Sequence, residues 1–177
     1  ASDNSIKDYS NSVADSAKRL GVAITDLIDA TTTFARLGYS LKDSSTLAEL
    51  TGMLENVGNI ESADAQDAVT AIVKAFDVNV DDLESVMDRL VAVGNGAPIS
   101  VSQIAEAMKN AASQLAAAGN DINQSIALLT AANTTIQNAS KSSTGLRTII
   151  ARIRNMKTEL DDMGEAMTSA EYNKIVQ

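Results

Sequence analysis

The chain has no cysteine, no histidine and no tryptophan, and it holds a single proline. Without cysteine there is neither a disulfide framework nor thiol chemistry. Without histidine the commonest general base and metal ligand is missing, so a serine nucleophile would need a lysine or a terminal amine to activate it. No G-x-S-x-G elbow is present, and no glycine-rich run leads into Lys-Ser or Lys-Thr to cradle a phosphate. Aromatic residues make up only 3%, too few to build the stacking platforms of a sugar subsite. No apolar run approaches the ~20 residues of a membrane span. The opening "ASDNSIKDYS" has neither the basic nor the apolar region of a signal peptide.

What remains is aliphatic. Hydrophobic residues reach 45%, and most are Leu, Ile, Val, Met and Ala. At this length a chain buries roughly 70% of its unfolded surface, enough for one domain or two small ones. Alanine has the best helix propensity and lets helices approach closely. The expected fold class is therefore all-α, a compact domain of about eight short helices.

Charge is uneven. The net charge is −9; residues 1–97 carry 16 acids and 7 bases, and residues 98–177 carry 7 of each. An acidic chain without interleaved basic and aromatic residues is a poor fit to sequence-specific nucleic-acid binding. Solubility accounts for the acidity.

Capping signals divide the chain. The pairs Ser40/Asp43, Asp81/Glu84, Ser100/Gln103, Asp121/Gln124 and Thr168/Glu171 match or approximate the capping box, in which a side-chain oxygen satisfies an orphan N–H for about 1 kcal/mol. They predict helices at 4–20, 25–37, 41–57, 62–76, 81–93, 101–118, 122–137 and 143–160, with a short one at 169–175. Leu27, Ala30, Phe34 and Leu37 share one face of the second helix, and Ile104, Met108, Ala111, Leu115 and Ala118 one face of the sixth. Each stripe needs a neighbour to cover it. "GNGAPIS" (94–100) holds Pro98 and marks a seam between an acidic half, 1–97, and a second half, 98–177.

The halves match at an offset of 81. Gly38 falls on Gly119, Ala30 on Ala111, Phe34 on Leu115, Leu41 on Ile122, Ser44 on Ser125 and Leu47 on Leu128. Farther on, Ala65, Ala68, Val69 and Ile72 fall on Leu146, Ile149, Ile150 and Ile153. Two stacked copies of one helical unit would give this register; so would two halves obeying the same hairpin rules.

Two charged runs invite a functional reading. In "DVNVDDLESVMD" (77–88), Asp77, Asn79, Asp81 and Asp88 occupy calcium-loop positions, but Asp82 stands where the sharp turn needs glycine and Asp88 is too short for the bidentate Glu. The run reads as a helix start with acids complementing the dipole. Lys141, Arg147, Arg152, Arg154 and Lys157 form a basic strip, either a docking site for an acidic partner or loose contact with nucleic acid, or a solvated face.

Two stretches carry a resemblance. "ISVSQIAEAMKNAASQLAAAGNDINQSIALLTAANTTIQ" (99–137) is an Ala-rich helix ending in Gly, a capped step and a Leu/Ala-rich helix. "SSTGLRTIIARI" (142–153) opens a helix with a small residue, Gly, and an aliphatic-Arg-Thr run. Together they resemble the conserved core region of phage tail tape measure proteins, with Gly119, Asp121, Leu128, Leu129, Gly145, Leu146, Arg147 and Thr148 where the pattern expects them. Residues 27–50 and 68–95 extend it, so that it covers roughly 17–155.

The resemblance implies a structural role: a virion protein, made in the bacterial cytoplasm, that sets tail length, supports tail assembly and leaves ahead of the genome. It implies tail-tube, tail-tip and assembly-chaperone partners and no cofactor; exposed apolar stripes can also support self-association. A chain that stops and recaps every 15–20 residues is not the ruler shaft itself, and is expected to be a compact segment of a longer protein. The alternative from another class is a generic helical interaction scaffold. Gly38, Gly119 and Gly145 are the expected backbone positions of note. Gly145, in a first helical turn, is expected to mark close approach by a neighbouring helix, and Arg147 to pair or snorkel.

Overall fold

Helix after helix ends where a residue takes the left-handed conformation. Gly21, Gly38 and Gly119 do so at φ 72°, 99° and 85°, and Asn59, Asp77 and Gln137 do so at 47°, 49° and 51°. The computed structural model describes residues 3–170, and among these the elements are helical throughout: α1 (Asp3–Leu20), α2 (Ile24–Arg36), α3 (Leu41–Gly58), α4 (Ser62–Phe76), a 3₁₀ turn (Val80–Asp82), α5 (Leu83–Gly96), α6 (Val101–Ala117), α7 (Ile122–Ile136) and α8 (Ala139–Ala170).

The stops of α2 and α6 use one hydrogen-bond pattern. The N–H of Gly38 donates to the Ala35 carbonyl and that of Tyr39 to Phe34. Eighty-one residues on, Gly119 donates to Ala116 and Asn120 to Leu115. This double closure, with glycine at the left-handed position, satisfies carbonyls the helix leaves orphaned. The following starts match too: Ser40 Oγ accepts from Asp43 N, and Asp121 Oδ1 from Gln124 N. Reciprocal capping boxes form at Ser100/Gln103 and Asp121/Gln124.

Other boundaries differ from expectation. Asp81 caps nothing: Asp77 ends α4, the chain passes through the 3₁₀ turn, and Asp82 precedes α5 without a side-chain cap. α5 runs through Gly94 to Gly96 because Pro98, two residues beyond, is the first residue that forbids continuation. α8 begins at Ala139 rather than 143, since Asn138 Oδ1 accepts from Lys141 N. It then continues for 32 residues, past the expected end at 160. No proline intervenes, and Gly164 stays helical. Thr168 and the first two residues of the expected 169–175 helix accordingly lie inside α8; Glu171, the expected partner of Thr168, and the remaining residues to 175 lie outside the described residues.

α6 is the hub. It packs most extensively on α4 and α8, and also on α7, α5 and α3, while α2 lies along α3, α3 along α4, and α1 covers α2 and α3. Ala105, Ala107, Ala111 and Ala112 are buried on α6, and short side chains on several sides let neighbouring axes close in. Ile104, Met108 and Leu115 fill the remaining space. One continuous apolar cluster joins Leu27, Phe34, Leu47, Ile72, Leu83, Ile104 and Leu129.

Burial departs from the expected stripes at their ends. Leu37 is 40% exposed, and Ala118 is exposed. The larger departure is on α8. It buries Ala139, Ser142 and Ser143 and half-buries Leu146 and Ile150, but Ile149 and Ile153 face outward.

Candidate functional site

Three surface features have built geometry. At the α4–α6 joint, Lys109 Nζ lies 2.7 Å from Asp64 Oδ1 and 3.9 Å from Asp67 Oδ2. The hydrogen bond to Asp64 raises the Lys109 pKa against the opposing pull of burial. Ile60, Ser102, Ala105 and Glu106 line the cleft around this clasp.

The second feature is an apolar groove of about 670 Å³ between α5 and α7, walled by Ala92, Val93, Ala97, Ile126, Ala127 and Ala131. Arg89 closes one edge, donating to Asn123 Oδ1 and Ser85 Oγ, each at 2.7 Å. Thr130 Oγ1, on the groove wall, is buried without a partner among the described residues. The third is a shelf on α8 formed by Ser140, Lys141, Thr144, Gly145, Thr148 and Ile149.

The sequence-predicted residues fall into separate places. Gly38 and Gly119 close α2 and α6, 81 positions apart. Gly145, Leu146, Arg147 and Thr148 are consecutive on α8. Leu146 packs on the core cluster, whereas Arg147 and Thr148 are exposed and Thr148 Oγ1 donates to the Thr144 carbonyl.

Gly145 does not hold the close approach expected of it. It stands in the second turn of α8, and among the described residues nothing outside its own helix backbone lies within 4 Å of where a Cβ would point. Among the described glycines the tightest approach is at Gly94. A Cβ there would meet Val101 Cγ2 at 2.5 Å and the Val101 backbone N at 2.9 Å. The "GNGAPIS" break was the available signal: a chain that reverses so tightly brings the end of α5 against the start of α6.

Burial raises the Glu55 carboxyl above its ordinary value; a hydrogen bond with Ser62 opposes this, and Asp26 and Glu61 add to the rise. Burial, and then the charge of Asp77, raises the Tyr39 phenol, whose ring meets Phe34 edge-on at 6.3 Å. In the acidic run, Asp77 serves as the left-handed stop of α4. Among the described residues no three His, Cys, Asp or Glu side chains group to hold a metal ion, and no helix is long and apolar enough to cross a membrane. Lys141, Arg147, Arg152 and Arg154 are exposed along α8.

The chain belongs to the phage-related minor tail protein family, whose profile matches residues 10–176. It is thus a phage tail protein with a structural and assembly role. No solved structure matches it.

Proposed function

We propose that this chain is a compact segment of a phage tail tape measure protein, one that docks and positions rather than spans. It rests on one observation: seven of the eight described helices have 18 residues or fewer and fold back on a shared core. A ruler gains 1.5 Å per residue only while its helix continues, so such a body adds little length. Membership in the tail family supports the setting, and the run from Gly119 to Thr148 supports the narrower assignment. In this reading tail-tube, tail-tip and assembly-chaperone proteins are the partners, and the segment sits toward one end of the tail lumen until genome delivery.

Immunogold labelling of intact and partly disrupted virions, with an antibody raised against residues 99–137, tests it. Label confined to one end of the tail is expected. Label on the capsid, or none in purified virions, overturns the proposal.

A further inference from the structure

The 81-residue register relates a joint that is closed within the chain to two faces that stand open. α4 buries Ala65, Ala68, Val69 and Ile72 completely, and its most extensive packing is along α6. The offset carries these four onto Leu146, Ile149, Ile150 and Ile153 of α8. There two of the four are uncovered, Ile149 at 56% and Ile153 at 59% exposure, while Leu146 and Ile150 pack on the core.

On the other side of the joint, Ala105 and Lys109 of α6 line the cleft with Asp64. The same offset carries them back onto Ile24 and Ile28 of α2, which are 46% and 43% exposed. The clasp changes in step. Where α4 has Asp64 and Asp67, α8 has Gly145 and Thr148; where α6 has Lys109, α2 has Ile28. An ion pair is replaced by a bulky aliphatic opposite a glycine shelf with open space above it.

The copying is of faces, not of every contact. α6 packs extensively along α8, whereas α2 makes no comparable contact with α4. That difference covers Ala139, Ser142 and Ser143 and leaves Ile149 and Ile153 open.

We propose that α8 of one copy packs on α2 of a second copy, repeating between chains the α4–α6 joint found within one, with Ile28 of one copy seated on the Gly145–Thr148 shelf of the other. Both faces of the missing joint are carried by this chain, so a second copy is the occupant. Charge agrees: α8 presents Lys141, Arg147 and Arg152 with no acid between 139 and 155, and α2 carries Asp26 and Asp29. Complementary flanking charge sets orientation more than strength. The contact is heterologous, since α8 meets α2 rather than another α8, and such contacts build rings or open series rather than closed dimers. The inference is independent of the tape measure assignment.

Sedimentation and light scattering of the full chain, from micromolar to millimolar, test it. The parent sequence is expected to form species beyond the dimer as concentration rises. Ile28→Asp and Ile149→Asp should each weaken association at least tenfold with unchanged helical circular dichroism, and Ile153→Asp provides a second α8 variant should Ile149→Asp lose its fold. The decisive arm mixes the Ile28→Asp and Ile149→Asp chains. Each retains one intact face, so a 1:1 dimer and nothing larger should form. A parent chain that is monomeric throughout, association that survives Ile28→Asp, or a mixture that stays monomeric overturns the proposal.

Discussion

Lys109 on α6 donates to Asp64 on α4 at 2.7 Å, across the joint between the two halves of the sequence. Asp64 is 57% exposed and Lys109 33%, so water and salt screen the pair. Lys109→Met should cost less than about 1 kcal/mol, and the difference should shrink in high salt. The Lys109 pKa is raised on folding. The pair's contribution is therefore complete below the ordinary lysine value and fades as pH rises through the folded one. Urea titrations at neutral and strongly alkaline pH check this.

Gly94 and Gly145 should respond oppositely to alanine. At Gly94 the new methyl would press on the Val101 backbone, and overpacking of this kind costs roughly 1–3 kcal/mol. At Gly145 the methyl meets nothing among the described residues, and replacing an interior helical glycine gains roughly 0.5–1 kcal/mol. Thermal unfolding should show a lower Tm for Gly94→Ala and a higher one for Gly145→Ala.

Gly38 and Gly119 should behave as a pair. Among the described residues neither has a neighbour within 4 Å of a Cβ, and both have positive φ. Alanine at either should then cost about 1–2 kcal/mol from conformation alone. Equal losses within error, measured by denaturant unfolding, are expected; a loss at one only would show that the two stops are not equivalent.

Glu55 tests the buried electrostatics. Its folded-state pKa is raised, so the folded state disfavours the charged form. The penalty is absent below the ordinary glutamate value and grows as pH climbs through the folded one. Glu55→Gln should raise stability at neutral pH, with the advantage gone in acid. Paired melts at both pH values check the sign.

Much of this architecture was legible in the residues. Ser100, Asp121 and Ser40 placed helix starts because their oxygens cap locally, and Gly38 and Gly119 placed stops because their φ does. Local chemistry of this kind needs no tertiary context. The failures lie where tertiary geometry decides. Ile149 and Ile153 have helical spacing, but periodicity cannot say whether a neighbour arrives to cover them. Gly145 and Gly94 both lie within helices, and the "GNGAPIS" break beside Gly94 is the one sequence sign that this glycine, and not Gly145, meets a neighbouring helix. Asn138 was a readable cap, obscured by the expectation that α8 began at Ser143. The α5–α7 groove had no sequence signal, since its alanines read as ordinary core.

As a proposed segment of a tape measure protein, the chain is a folded body and not a length of ruler. The most direct test is an in-frame deletion of the segment from its phage gene, with tail lengths measured by electron cryomicroscopy. A continuous helix of 177 residues would span roughly 265 Å at 1.5 Å per residue, whereas α8, the longest helix of the described residues at 32 residues, spans roughly 50 Å. Tails that assemble without the segment are expected to shorten by no more than about 50 Å, the length of α8; shortening near 265 Å, roughly 1.5 Å for every residue removed, would contradict a folded body.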